Sequence, residues 1–274
     1  MKNEMPRKTR ELEEMRKQYD AAKGSIDQFY TQSFLNWNGS FVDPTTGKRE
    51  VVINRIAEWM DRDRVLEGVK KVVSPKAYLV ETHTGKPTTD TKVSTREEEL
   101  FAMALFKREK KLGQDTCIFL DYQSPIYRKH EKQKNCDESK KPEKKPGKID
   151  LIAASCEREE IYLMELKKYD SKETLLRCVA EIYTYYKQIE EEKLKKEVAC
   201  EMLLDSCAHY KVVPVVLVFK NKQQHLQYES PLYVNVRKYM DKLGVRLIVI
   251  DSEVSYADYN FDDCIEKCVI TECN

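Results

Sequence analysis

The sequence predicts an α/β fold, and three observations predict it. Short apolar or β-branched runs at 117–122, 161–167, 212–219 and 245–250 read as strands. Apolar residues elsewhere recur every three to four positions, over stretches long enough for helices. The switch between the two periods is sharpest after Lys167, where alternation gives way to a 3.6-residue repeat. At 274 residues the chain has length for one large domain or two small ones, and for a sizeable buried core.

Residues 1–92 read as a mostly helical N-terminal region. Leu12, Met15 and Tyr19 recur at helical spacing in a charged segment that extends toward Phe34. Asn38-Gly39 and Asp43-Pro44 mark a turn region at 36–47. A second helix is expected over 51–73, with Ile53, Ile56, Trp59 and Met60 on one side and Pro75 as its stop. Trp37 and Trp59 read as packing residues. A short strand at 78–81 and a polar loop at 85–91 follow. The next helix starts at Ser94 or Thr95, where Thr95 and Glu98 have capping-box spacing, and Leu100, Phe101, Ala104 and Leu105 form its stripe. Glu97 shares the face of that stripe, an unusual place for a carboxylate. Its plainer reading is that it favours the positive end of the helix dipole.

After the strand at 117–122, residues 128–148 hold nine Lys/Arg against four Asp/Glu and end in prolines and a glycine. This basic connection is either a solvated loop or a phosphate-contacting flap that includes Lys148. It leads into Gly147-Lys148-Ile149-Asp150, an aspartate entering an apolar strand. Residues 155–160 read as the turn of an antiparallel hairpin, which brings Asp150 near the second strand. There Glu165 and Lys167, two residues apart, point to one face. Two carboxylates and an ammonium then converge, a site suited to a hard divalent cation with oxygen ligands. Lys168 follows directly beside it.

The helix that follows starts near Ser171 and shows Leu175, Leu176, Val179, Ile182, Tyr183, Tyr186 and Ile189 on one face, with Glu181 and Tyr185 as neighbours on its flank. A charged helical stretch at 191–207, a buried strand at 212–219, a helix at 232–243 stopped by Gly244 and a buried strand at 245–250 complete the order. The tail after Asp251 is acidic, then weakly helical.

The composition narrows the function classes. With 48 Lys+Arg against 47 Asp+Glu, the net charge of +1 excludes a generally polycationic nucleic-acid binder but allows local basic patches. No apolar run approaches the roughly 18 residues that span a bilayer. The charged first residues lack the apolar core of a signal peptide, so an intracellular, cytoplasmic protein without membrane partners is expected. Nine scattered cysteines suit reduced thiols. The trio Cys264, Cys268 and Cys273 lacks the usual tight Cys-x-x-Cys pair, and reads as small buried or surface thiols rather than a metal site. The four histidines are isolated in sequence, and no Gly-rich phosphate loop, His-Glu-x-x-His or nucleophile elbow is present.

The order helix with Glu97, strand, hairpin with Asp150 and Glu165-Leu166-Lys167, helix, strand resembles the core of the PD-(D/E)XK nuclease superfamily. The resemblance covers about 94–219; Ile149 stands where many members have proline, and Glu181-Ile182-Tyr183-Thr184-Tyr185 is similar to the Gln-x-x-x-Tyr pattern of several subfamilies, with glutamate for glutamine. It implies a restriction-endonuclease-like core over 93–251, a central mixed β-sheet flanked by helices in αβββαβ order, between the helical region 1–92 and a C-terminal tail 252–274. It implies a metal-dependent nuclease acting on nucleic acid, with DNA as the expected substrate. Asp150, Glu165 and Glu97 (or its neighbour Glu98) would hold Mg²⁺ or Mn²⁺, and Lys167 would be the fourth catalytic residue. Lys148, Lys168, Glu181 and Tyr185 are the candidate nucleic-acid contacts, and a homodimer is among the expected assemblies, since cutting both strands often pairs two sites about a two-fold axis. The alternative is a non-catalytic nucleic-acid-binding or regulatory protein on the same fold.

Overall fold

A computed structural model of the chain describes residues 7–43, 46–80, 83, 97–126, 147–252 and 268–273. The N-terminal part contains α1 (Arg7–Ala22), 3₁₀ turns at Lys23–Thr31 and Ser33–Asn36, a small hairpin of β1 (Ser40–Val42) and β2 (Arg49–Val51), and α2 (Val52–Asp63). Then come α3 (Glu97–Leu105), β3 (Glu109–Leu112), β4 (Asp115–Pro125), β5 (Lys148–Ser155), β6 (Glu160–Leu166), α4 (Leu175–Gln188) and α5 (Glu191–Glu201). The chain continues through β7 (Lys211–Phe219), α6 (Gln223–Glu229), α7 (Val234–Leu243), β8 (Arg246–Asp251) and β9 (Val269–Glu272).

The open sheet flanked by helices that the sequence predicts is not the one that forms. Strands β3 to β9 follow one another in sequence order around a closed, mixed barrel of seven strands. The physical reason lies at the two edges. β9 pairs antiparallel with β8 and meets β3 in parallel through Leu112 and Ile270, which joins the last strand to the first. That one pair brings the two edge strands against each other, so neither edge lies open to another chain. Neither strand is legible in the sequence: β3 is Glu-Lys-Lys-Leu, and β9 is a four-residue strand in a tail that reads as weakly helical.

The centre matches its reading more closely. β5 and β6 form the antiparallel hairpin, and β7 and β8 add to β6 in parallel. Alternation sorts the side chains by face. Ile152, Ala154, Ile161, Leu163, Val216 and Val218 pack with α4 in a core that continues into Tyr19, Phe29, Leu35, Ile56 and Met60 of the N-terminal part. Leu151, Ala153, Tyr162, Met164, Val215 and Leu217 face the other way, onto Leu100, Phe101 and Leu105 of α3.

Several element boundaries differ from expectation. α1 gives way to 3₁₀ turns after Ala22 instead of running toward Phe34. α2 stops at Asp63, not at Pro75, because Arg64 turns left-handed at φ 50° and its N–H caps Met60 and Asp61. No strand forms over residues 78–80; the N–H groups of Tyr78 and Leu79 donate to the Glu197 carboxylate and that of Val80 to Asp121, so carboxylates replace a sheet partner. α4 begins at Leu175 behind the Thr174 cap, α5 ends at Glu201, and α6 is a helix that the sequence pattern does not predict. Trp59 is buried, whereas Trp37 is 37% exposed. Thr95 of the expected capping box and most of the basic connection at 128–148 lie outside the described residues. Among the described residues, no helix is long and apolar enough to cross a membrane.

Candidate functional site

The hairpin places the site. Register pairs Leu151 with Met164, so Asp150 and Glu165 are the next positions along their strands. Asp150 accepts the Leu166 N–H at 2.9 Å through one oxygen and the Gln123 side-chain amide at 2.8 Å through the other. Gln123 reaches it from β4, where its φ of 52° is left-handed and costly for a residue with a Cβ. Glu165 and Lys167 leave β6 on the face toward α4, and both are buried, at 4% and 5% exposure. The Lys167 ammonium bonds Glu165 at 2.5 Å and pairs with Glu173 at 2.8 Å and Glu181 at 3.6 Å.

Glu181 and Tyr185, candidate nucleic-acid contacts in the sequence, are one turn apart on α4, and both side chains turn inward. The buried Tyr185 hydroxyl donates to Glu181 at 2.9 Å and lies 3.3 Å from that of Tyr30, so Glu181 is oriented toward Lys167. The Tyr185 ring closes over Gly147, where a Cβ would come within 2.4 Å of it. Tyr183 is buried and Tyr186 half-buried, both as helix packing.

The first turn of α3 brings three glutamates to the same opening. Glu97, Glu98 and Glu99 line a cleft of about 940 Å³ together with Gln123, Asp150 and Lys167. Glu98 accepts the Lys168 N–H at 3.0 Å, and Glu97 lies 3.8 Å from the Lys168 ammonium. Lys168 also pairs with Asp170, and Lys148 is exposed at the start of β5.

Charge is crowded here, and burial decides the protonation. Burial pushes Asp150 up to about 7, with the Glu98 and Glu181 charges adding to it and Lys167 and the Leu166 N–H opposing. Burial, then the Asp150 and Glu181 charges, push Glu165 up, against the opposing Lys167 ammonium that donates to it. Burial alone would lower Lys167, but Glu165, Glu181 and Glu173 outweigh it and hold the ammonium charged. The donor set therefore fits a hard cation: hard carboxylate oxygens, mutually repelling, whose repulsion a positive ion would relieve.

Asp150, Glu165 and Lys167 thus converge, and Glu98 joins Glu97 at the opening. Sequence reasoning missed Gln123 and Glu173. Nothing local marks Gln123. Glu173 does carry a signal, since it directly precedes a helix cap and stands four residues before Arg177, with which it pairs. Compared with known proteins, the chain matches no family model, no curated protein and no solved structure.

Proposed function

We propose that the chain is a divalent-metal-dependent nuclease that hydrolyses phosphodiester bonds, with DNA as its substrate and a site chemistry of the PD-(D/E)XK type. The observation that carries this is the meeting of Asp150 and Lys167 in the lining of an acidic cleft, with Glu165 buried behind Lys167 and a strained Gln123 holding Asp150 in place. Asp150 and Glu165, joined by Glu98 or Glu97, would hold Mg²⁺ or Mn²⁺. When bound, the cation supplies Lewis-acid polarisation of a phosphodiester oxygen and a more acidic bound water. Lys167 is oriented by its carboxylates to hold a water or to offset charge gathering on the phosphate. Lys148 and Lys168 offer positive charge to the flanking phosphates. Without a cation the cleft's acidic groups repel a polyanion, so binding and cutting share the same requirement.

The test is cleavage of supercoiled plasmid, single-stranded DNA and RNA with Mg²⁺ or Mn²⁺, comparing the parent with Asp150→Asn and Glu165→Gln. Both variants should lose at least about a hundredfold in rate while remaining folded. Parent-like cutting by either would reject this site. A second reading, a non-catalytic nucleic-acid binder, is favoured by one feature: Lys167 is already paired with Glu165 and Glu173 within the protein. It predicts DNA binding by the folded parent with no cutting under any metal.

A further inference from the structure

We propose a second metal site of different chemistry, in which His225, Glu229 and Cys273 bind a thiophilic divalent cation, Zn²⁺ first among them, and pin the end of β9 to α6. The three side chains offer a nitrogen, a carboxylate oxygen and a sulfur, and these ligand atoms lie within 4.8 Å of one another. His225 and Glu229 are one turn apart on α6 and share a face, with Nε2 3.9 Å from Oε1. Cys273 follows β9 directly, and its N–H bonds to the Leu247 carbonyl at 3.0 Å, which fixes where the thiol leaves the sheet. A tetrahedral zinc with bonds of about 2.0–2.3 Å holds its ligand atoms about 3.3–3.8 Å apart. The cluster must close by about an ångström, and the exposed Glu229 side chain is free to rotate by that much.

The donor set separates this site from the cleft at Asp150. Hard oxygens alone suit Mg²⁺ or Mn²⁺, whereas mixed nitrogen, oxygen and sulfur ligands select zinc-like ions. Three protein ligands leave a fourth position for water. The site is reachable, since His225 and Cys273 are half-buried and Glu229 is exposed. The protons balance. His225 Nδ1 now accepts the Asn221 N–H at 3.2 Å, so in the neutral ring the proton sits on Nε2. Coordination through Nε2 moves that proton to Nδ1 and gives up the exposed bond from Asn221. Cys273 releases its thiol proton to solvent as the thiolate ligates. The consequence is structural. The link from β9 to β3 is a single residue pair, and α6 packs against β7, so the metal would tie the strand that completes the barrel to the body of the sheet.

The test uses the full chain, stripped of metal by chelation and titrated with Co²⁺. A thiolate-to-cobalt charge-transfer absorption should appear and saturate at one equivalent. It should vanish in Cys273→Ser, and His225→Gln should weaken binding by about tenfold or more. Zn²⁺ at a hundredfold excess over Kd should raise the parent Tm by about 5 °C. Both responses should persist in Asp150→Asn, which disables the cleft and not this site. If Cys273→Ser fails to fold, His225→Gln and Glu229→Gln carry the test. The proposal is overturned if no thiolate absorption appears, or if it survives in Cys273→Ser and so arises from another cysteine such as the exposed Cys200. It is equally overturned if the zinc stabilisation disappears in Asp150→Asn and survives in Cys273→Ser.

Discussion

Asp150 holds its proton to about 7, against an ordinary value of 3.8, because burial penalises its charged form. The native state between those values binds a proton that the unfolded chain has lost, so stability falls as pH rises through that window. Metal-free protein should therefore be less stable at pH 7.5 than at pH 5, by on the order of 2–4 kcal/mol from this residue. Urea unfolding at the two pH values, parent against Asp150→Asn, isolates the contribution; an unchanged slope in the variant would contradict it. Lys167 behaves oppositely, as a buried cation that its carboxylates keep charged. Lys167→Met leaves Glu165, Glu173 and Glu181 facing one another without it, and should cost about 3–5 kcal/mol in a urea titration followed by circular dichroism. A loss of cleavage in that variant is informative only beside its stability, which is why the neutral isosteres of the carboxylates are the better probes.

At the scale of elements, the site is a meeting of four pieces: the left-handed residue of β4, the β5–β6 hairpin, the first turn of α3, and the flank of α4. Their fit is tightest where Tyr185 of α4 closes over Gly147 at the entry to β5. Gly147→Ala puts a methyl 2.4 Å from the ring, and the ring cannot yield without leaving Glu181. The expected cost is about 1–3 kcal/mol, as for other overpacked sites. In a Tyr185→Ala background most of that cost should disappear, so a double-mutant cycle with a coupling near zero would refute the contact. Thr174 shows the same interlocking, since its hydroxyl caps α4 at the Arg177 N–H and also bonds the Leu35 carbonyl of the N-terminal part.

For the molecule as a whole, closure of the barrel depends on its shortest strands. β9 is anchored by pairing to β8, by Ile270 in the core beneath α3, and by Glu272, which pairs with both Arg158 and Arg246. Ile270→Ala should destabilise by about 2–4 kcal/mol. Hydrogen exchange should show β9 amides opening faster than those of β6 and β7, because its contact with β3 is a single pair. Uniform acceleration across all strands would mean instead that β9 opens only when the whole barrel does.

What the sequence determined by itself is the hairpin and its polar end. Alternation over 161–167 put Glu165 and Lys167 on one face, and the turn brought Asp150 opposite, because strand geometry acts over two residues and needs no distant partner. The apolar stripe of α4 and the Gly244 stop of α7, at φ 68°, were legible for the same local reason. The tertiary structure alone decided the barrel. β3 and β9 are four residues each and carry too little apolar pattern to be read, and only their partners make them strands. It alone decided that Gln123 holds Asp150, and that the remote Cys273 comes to the one-turn pair of His225 and Glu229. Such contacts join residues tens of positions apart, and periodicity within one segment carries no information about where another segment will pack.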